Sequence, residues 1–148
     1  KANKQINGSR VVIFGATFKE NTPDVRNTKV VDVIKELEEY GVEVLVVDPV
    51  ADKEDFENVY GIEIKSLDDI NNIDAVVFAV PHEEFRNVDL EELKKLYGSI
   101  TSTNDSIEEV AAIVENEDIN NNNYVLIDIK GMFDRKEAEN AGYDYWRL

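Results

Sequence analysis

The stretch "RVVIFGATFKENTPDVRNTKVVDVIKELEEYGVEVLVVDP", residues 10–49, decides the fold of the chain. It opens at 10–15 with an apolar, β-branched run that is typical of a buried strand. Residues 27–41 then carry apolar side chains at helical spacing and end at a glycine. A second β-branched run follows at 42–48. Strand, helix and strand in this order predict a parallel βαβ unit.

The rest of the chain continues this alternation. Strand-like runs recur at 62–65, 74–80, 124–131 and 143–148, and helical patterns at 51–61, 66–70, 89–98, 106–116 and 133–142. We therefore predict an α/β fold: a single domain of three α/β/α layers built on a Rossmann-like parallel sheet. Its central strands are expected at 10–15, 42–48, 74–80 and 124–128, and residues 1–9 read as a polar leader or linker.

Composition excludes several classes of function. The 148 residues include 32 acidic and 16 basic side chains, for a net charge of -16. Such a surface repels nucleic acid and anionic lipid, so we expect neither partner. The chain has no cysteine, which excludes disulfides, thiolate metal sites and a cysteine nucleophile within it. The carboxylates follow helical surfaces, so no metal site is predicted. No apolar run or signal peptide points to a membrane or to secretion, and a cytoplasmic location is predicted.

The loop after the first strand lacks the glycines of a dinucleotide-binding motif. Gly15 has no second or third glycine behind it, and charged residues occupy the loop instead. In open parallel sheets, ligands bind beyond the carboxyl ends of the strands. Much of the scarce positive charge follows three such ends: Lys19, Arg26 and Lys29; His82 and Arg86; Lys130 and Arg135.

This distribution predicts an anion site at one edge of the sheet. We expect Lys19 and Lys130 to follow neighbouring strands at the sheet centre and to straddle a pyrophosphate. Side-chain charge would then replace the backbone N–H groups of a glycine-rich loop. The alternative is that these lysines are ordinary solvated loop residues.

Three other polar residues have simpler interpretations. Arg26 could pair with Asp24 at the entry to the helix. His82, the only histidine, is interpreted as a loop or capping residue more readily than as a base. Asp48 resembles the ribose-binding acid of Rossmann folds, but it comes later than the usual ~20 residues after the glycine motif. A proline follows it, so we interpret Asp48 as a turn residue.

Four segments together suggest a family. They are "GATFKENTPDVRNTKVVDVIKELEEYG" (15–41), "VVDP" (46–49), "DAVVFAVPHEEF" (74–85) and "LIDIKGMFDR" (126–135). In this order they resemble the C-terminal, UDP-binding domain of the UDP-glucose/GDP-mannose dehydrogenases, over about residues 8–98 and 124–148. The segment "FKENTPDVRNTKV" (18–30) is most similar to the branch of the family that oxidises UDP-N-acetylhexosamines, UDP-GlcNAc or UDP-GalNAc, for capsule or O-antigen sugars.

The resemblance implies an NAD-dependent oxidoreductase of three parts: an N-terminal NAD-binding domain, a central dimerisation region and this domain. The whole enzyme oxidises C6 of a UDP-sugar from alcohol to carboxylate, in two hydride transfers to two NAD. A cysteine outside this domain captures the aldehyde as a thiohemiacetal, and the thioester formed next is hydrolysed. The chain is therefore expected to be a fragment that has no catalytic residue and is inactive alone. Its expected partners are the missing domains, the UDP-sugar and, in the full-length homodimer, a second subunit.

The resemblance also assigns site residues. Phe18 and Lys19 match the "FK" pair, which touches the substrate near its sugar and phosphates. Arg26 matches an arginine that reaches toward the cofactor cleft. Lys130, with Gly131 in the same substrate-binding segment, stands where many members have an arginine. Lysine keeps the charge of that arginine but loses its bidentate fork.

One segment departs from the family, and one alternative function stays open. Residues 99–123 are expected to be an insertion within the 10–148 domain, where the family has a short connection. The alternative is a stand-alone nucleotide-binding or regulatory module of the same fold without catalysis. The residues upstream of Lys1 in the gene would separate the two functions, since a dehydrogenase needs a Rossmann motif and a catalytic cysteine there. The sequence does not identify the sugar.

Overall fold

A computed structural model describes residues 6–98 and 124–148. Within these residues five strands form one sheet in the order β2-β1-β3-β4-β5, and every neighbouring pair is parallel. This order is one of the two common arrangements of doubly wound α/β folds. The predicted α/β architecture is confirmed. The strands are β1 (Arg10–Phe14), β2 (Glu43–Val47), β3 (Ala75–Phe78), β4 (Tyr124–Asp128) and β5 (Tyr143–Arg147).

Helices connect the strands on both faces of the sheet. They are α1 (Val30–Glu39), α2 (Lys53–Tyr60), α3 (Leu90–Leu93) and α4 (Arg135–Asn140), with 3-10 turns at 67–69, 83–85 and 94–96. Helix α1 begins three residues later than the pattern predicts, because Asn27 takes a left-handed φ of 57° that a helix cannot include. Gly41 adopts the left-handed φ of 81° that the predicted helix end requires.

The sheet is buried on both faces. On β1, Val11 and Ile13 pack into a cluster with α1 and α2, whereas Val12 and Phe14 pack into a second cluster with α3, α4 and β5. Phe14 also stacks on Phe78 of β3, with ring centroids 4.8 Å apart. Apolar residues at consecutive positions therefore serve two cores, which gives the predicted three layers.

The predicted adjacency of the strands before Lys19 and Lys130 is wrong. Strand β3 lies between β1 and β4 and pairs with both of them. Neighbouring strands are about 4.8 Å apart, so the ends of β1 and β4 are separated by roughly 10 Å. Strand order depends on pairing between distant segments, which local sequence patterns do not report. All five strands are parallel, however, so both lysines remain at the same edge of the sheet.

Smaller segments complete the description. Residue 64 makes a single bridge beside β2, to Val46, in place of the strand predicted at 62–65. Part of the predicted leader contacts the start of β2, because the carbonyl of Ser9 accepts a hydrogen bond from Glu43 N–H at 2.8 Å. The predicted insertion at 99–123, with its helix at 106–116, lies outside the described residues. Across 6–98 and 124–148, no helix combines the length and apolar character needed to cross a membrane.

Candidate functional site

The loop that joins β1 to α1, residues 15–29, begins at a glycine that sequence alone cannot explain. Gly15 has a φ of +101°, which side chains rarely adopt. A Cβ at this position would lie 2.6 Å from Val80 Cβ and 2.7 Å from Val80 N. Gly15 is therefore needed for the close approach of the β1–α1 loop to the segment after β3, and not for a phosphate-binding nest.

Backbone and side-chain hydrogen bonds fix the rest of this loop. Tyr60 Oη donates to the Val25 carbonyl at 2.6 Å, and Asp52 N–H donates to the Pro23 carbonyl at 3.1 Å. Val25 itself is buried against α1 and α2. The β1–α1 loop thus has a defined shape although it contains no regular secondary structure.

A buried polar junction ties together the carboxyl ends of β2, β1 and β3. Asp48, Thr17 and His82 are 1%, 1% and 0% exposed. His82 Nε2 lies 2.9 Å from Asp48 Oδ2 and 3.4 Å from Thr17 Oγ1. On its other side, His82 Nδ1 accepts the N–H of Asn21 at 2.9 Å. A ring nitrogen that accepts an N–H carries no proton, so we assign the neutral tautomer with its proton on Nε2.

The Asp48 carboxylate is saturated by hydrogen bonds. Oδ2 accepts from His82 and from Ala16 N–H at 2.6 Å, and Oδ1 accepts from Val50 N–H at 2.8 Å and Ala51 N–H at 2.9 Å. Burial raises the pKa of Asp48, but these four hydrogen bonds outweigh burial and leave the pKa below its usual value. Asp48 is thus the turn residue that the sequence predicts, and neither Asp48 nor His82 faces solvent.

The turn after β4 is built around a second buried carboxylate. Asp128 accepts the N–H groups of Met132 at 3.0 Å and Phe133 at 2.9 Å, and also the hydroxyl of Tyr145 at 2.6 Å. Within this turn Gly131 has a φ of +69°. A Cβ there would lie 3.0 Å from the guanidinium of Arg147. The turn that carries Lys130 and Gly131, both predicted site residues, is therefore fixed by Asp128 at the end of β4 and by Arg147 at the end of β5.

Between the β1–α1 loop and the turn after β4 lies a cleft of about 410 Å³. Its volume falls within the range of small-molecule sites, which is roughly 300–1,000 Å³. Two lysines, two threonines and six apolar residues line it: Thr17, Phe18, Thr28, Lys29, Val30, Val33, Ala79, Val80, Ile129 and Lys130.

The amino-terminal end of α1 opens onto this cleft. Val30 is the first residue of α1, and Lys29 precedes it without a side-chain cap. Thr28 Oγ1 accepts Val30 N–H at 3.3 Å. A helix N-terminus carries partial positive charge and attracts anions. Together with the exposed lysines 29 and 130, it makes the cleft cationic in a strongly acidic chain.

The structure brings some of the predicted site residues together. Phe18 and Lys130 line the same cleft, and Gly131 follows directly behind Lys130. The Phe18 ring is 60% exposed and offers a free aromatic face. Lys19 is exposed on the β1–α1 loop next to Phe18, but it is not among the residues that line the cleft.

Arg26 lies apart from the cleft and forms the pair with Asp24 that the sequence allows. Its Nε and a terminal nitrogen donate to the two Asp24 oxygens, each at 3.0 Å. These side-chain hydrogen bonds, the Arg26 N–H and the guanidinium charge lower the pKa of Asp24 to about 2. The Arg26 side chain is nevertheless 79% exposed, so a ligand can reach its outer face.

Sequence reasoning missed the role of Lys29 in the cleft. It counted Lys29 among the cations of this edge without assigning it to a site. The signal was available, because a lysine directly before a helix lies at the end that attracts anions. The contribution of Val33 and Ile129 could not be predicted, since it depends on how α1 and β4 pack across β3.

Comparison with known proteins identifies the family. A sequence model of the UDP binding domain of the UDP-glucose/GDP-mannose dehydrogenase family matches residues 12–106. The chain belongs to this family. Over 96 residues, 65% of the chain, it is 44% identical to a UDP-N-acetyl-D-glucosamine 6-dehydrogenase of Pseudomonas aeruginosa, of which it covers 23%. Over 120 residues, 81% of the chain, it is 35% identical to Protein CapL of Staphylococcus aureus, of which it covers 27%.

Solved structures of dehydrogenases share the fold. A crystal structure of an NDP-N-acetyl-D-galactosaminuronic acid dehydrogenase from Methanosarcina mazei Go1 superposes with a TM-score of 0.71 at 23% identity, covering 99% of this chain and 26% of that one. A UDP-glucose dehydrogenase from Pyrobaculum islandicum gives a TM-score of 0.57 at 22% identity, over 96% and 25% of the two chains. The chain therefore spans about a quarter of the length of the relatives it matches.

Proposed function

We propose that this chain is the nucleotide-sugar-binding domain of an NAD-dependent UDP-sugar 6-dehydrogenase. The observation that supports this most directly is the cleft at the carboxyl edge of the sheet. Its lysines and helix N-terminus suit a diphosphate, and it lies in a domain of a UDP-binding family. The proposed reaction converts the C6 alcohol to a carboxylate in two hydride transfers.

The lining residues divide by chemistry into two groups. Lys29, Lys130 and the first turn of α1 would hold the diphosphate, with Lys19 supplying further charge from the adjacent loop. Phe18 and the apolar wall, which includes Val33 and Ile129, would contact the uracil or sugar ring. Stacking of a base on an aromatic ring contributes about 1–3 kcal/mol. Gly131 would act through the β4 turn, since its φ of +69° lets the backbone pass close to Arg147 and carry Lys130 to the cleft.

NAD would be held mainly by residues outside this chain. The β1–α1 loop has a single glycine, whose conformation serves the contact with Val80, so it does not fit a pyrophosphate nest. Arg26 does fit a peripheral role, because its exposed guanidinium can contact a cofactor while remaining paired with Asp24. When bound, NAD accepts the hydride. The chain itself would bind and orient the nucleotide sugar and would be inactive alone.

The relatives support a proposal for the substrate class and the biological setting. The 44% identity to a UDP-N-acetyl-D-glucosamine 6-dehydrogenase favours a UDP-N-acetylhexosamine as the substrate. Acidic sugars of this kind suit capsule or O-antigen polysaccharides, and the proposed location is cytoplasmic. The full-length protein is proposed to be a homodimer.

The binding proposal is tested by calorimetric titration of the chain with UDP and with uridine. UDP should bind more tightly, because the phosphates carry the charge, and added salt should weaken this binding. Lys130→Ala and Lys19→Ala should each lower the affinity for UDP by about tenfold or more, since a charge-assisted contact is worth roughly 1.5–3 kcal/mol.

The matched control is Lys95→Ala. This variant also removes one positive charge, but at the opposite edge of the sheet. Lys95 lies there because the next residue, Leu96, accepts a hydrogen bond from the N–H of Ile73, just before β3. Affinity for UDP should not change in this variant. Equal affinity of the wild-type chain for UDP and uridine would contradict the proposal, and so would equal losses in all three lysine variants.

A further inference from the structure

Two hydrogen bonds join the β1–α1 loop to the segment after β3, across 61 and 62 positions of sequence. One is the bond from Asn21 N–H to the unprotonated His82 Nδ1 at 2.9 Å. In the other, Asn21 Oδ1 accepts Glu83 N–H at 2.8 Å. Asn21 makes both contacts because it takes a left-handed φ of 61°, which turns its backbone N–H and its side chain toward the same neighbour.

The segment between Ala16 and Asn21 is fixed by hydrogen bonds at both ends. Ala16 N–H is bound to Asp48, and Asn21 N–H is bound to His82. Inside the segment, Thr17 Oγ1 donates to the Lys19 carbonyl at 2.7 Å. Three side chains of this segment, at positions 18, 19 and 20, are exposed, and Phe18 and Lys19 are the two that the proposed site uses. The buried ring of His82 therefore fixes one end of the segment that carries them, while Phe18 N–H donates to the Asp24 carbonyl at 3.3 Å within the loop.

We propose that His82 is a positioning residue for the UDP site. Its neutral imidazole accepts from Asn21 and donates to Asp48, and so holds Phe18 and Lys19 in the binding conformation. His82 is fully buried and does not line the cleft, so it acts only through the β1–α1 loop. This inference rests on the proposed function, because it assigns His82 to that same site.

The chemistry of the position is specific to a neutral histidine. The two ring nitrogens lie on opposite sides of the ring, one as acceptor and one as donor. Glutamine carries an acceptor and a donor at the end of one arm and cannot span Asn21 and Asp48 in the same way. A protonated imidazole would present an N–H to the Asn21 N–H and lose that contact.

The first experiment separates positioning from stability. His82→Gln and Asn21→Gly are compared with Asn72→Gly, which replaces another asparagine of positive φ, 51°, just before β3 at the opposite edge of the sheet. The free energy of unfolding and the affinity of the folded chain for UDP are both measured. His82→Gln should lower this affinity by about tenfold, which corresponds to ~1.4 kcal/mol. Asn21→Gly should lower it less, and Asn72→Gly should leave it unchanged.

The second experiment observes the ring and the loop without any ligand. The chain has one histidine, so nitrogen NMR of the tag-free protein shows a single imidazole. Nδ1 should be unprotonated and Nε2 protonated, and the amide of Asn21 should exchange slowly with solvent. In His82→Gln the amide resonances of Phe18 and Lys19 should shift.

The outcomes are distinct. Variants that lose stability but keep the affinity of the folded chain for UDP would show a purely structural role and overturn the inference, and a protonated Nδ1 would do the same. If the wild-type chain binds no UDP, the proposed function fails by itself. The loop amides then decide whether His82 sets the conformation of the loop, and unchanged resonances at 18 and 19 in His82→Gln would refute that part of the inference.

Discussion

At the scale of single residues, adding one methyl group at Gly15 is expected to have a large effect on stability. Gly15→Ala forces a side chain into a left-handed conformation and places its Cβ 2.6 Å from Val80. Backbone strain and overpacking each cost roughly 1–3 kcal/mol, so we expect a loss of about 3 kcal/mol in the free energy of unfolding. Urea unfolding monitored by circular dichroism measures it.

Gly61→Ala is the matched control for this loss. Gly61 also has a positive φ, +69°, but no atom lies within 4 Å of a Cβ placed there. Its cost should be limited to backbone strain, about 1 kcal/mol. Equal losses in the two variants would show that the contact with Val80 contributes nothing.

At the scale of secondary-structure elements, the buried junction joins the ends of β2, β1 and β3 through Asp48. Asp48→Asn replaces one of two accepting oxygens with an amide that faces N–H donors. We expect a loss of about 3 kcal/mol in the free energy of unfolding at neutral pH, because these hydrogen bonds go to a charged group. Asp52→Asn is the control, since Asp52 caps α2 on the surface and asparagine caps helices equally well.

The loss in Asp48→Asn should depend on pH. Hydrogen bonds hold the folded-state pKa of Asp48 below its usual value of about 3.9. The stabilisation by Asp48 is therefore fully present above that usual value and is lost as the pH falls through the lower, folded-state pKa. The difference in unfolding free energy between wild type and Asp48→Asn should narrow below about pH 4. A difference that stays constant from pH 7 down to pH 2 would contradict this assignment.

Most strands and helices could be predicted from sequence, although the strand predicted at 62–65 is a single bridge, and the junctions between elements could not be predicted. Strands β1 to β4 are local apolar runs, and the glycine at 41 marks the end of α1. The order of the strands is not local, so β3 was not expected between β1 and β4. Likewise, the sequence indicates a turn residue at Asp48 and a loop or capping residue at His82, because nothing in it shows that they meet across 34 positions.

The candidate site shows the same division. The resemblance to a family, and not the pattern of residues, singled out Phe18 and Lys130 together, and the structure brings them to one cleft. The place of Lys29 follows from where α1 begins, which the left-handed Asn27 shifts by three residues. A motif therefore singles out candidate side chains, whereas backbone conformations at single residues determine which of them lie together.

At the scale of the whole molecule, the proposed division of labour predicts where activity resides. The chain has no cysteine and has a single glycine after β1, and it covers about a quarter of its relatives. With UDP-N-acetylglucosamine and NAD, the purified chain should form no NADH, as measured by the absorbance of the reduced cofactor. The full-length protein from the same gene should form it. NADH formation by the purified chain alone would contradict the assignment of catalysis to other residues.

Arg26 gives this division a finer test within the full-length protein. Its exposed guanidinium is proposed to contact NAD, and Lys130 in the cleft is proposed to contact the UDP-sugar. Arg26→Ala should therefore raise KM for NAD by about tenfold, the effect of one lost charge-assisted contact, and leave KM for the UDP-sugar nearly unchanged. Lys130→Ala should do the reverse. If the full-length protein binds UDP but no UDP-sugar supports the reduction of NAD, the chain is instead a nucleotide-binding or regulatory module. Neither variant then has a KM to change.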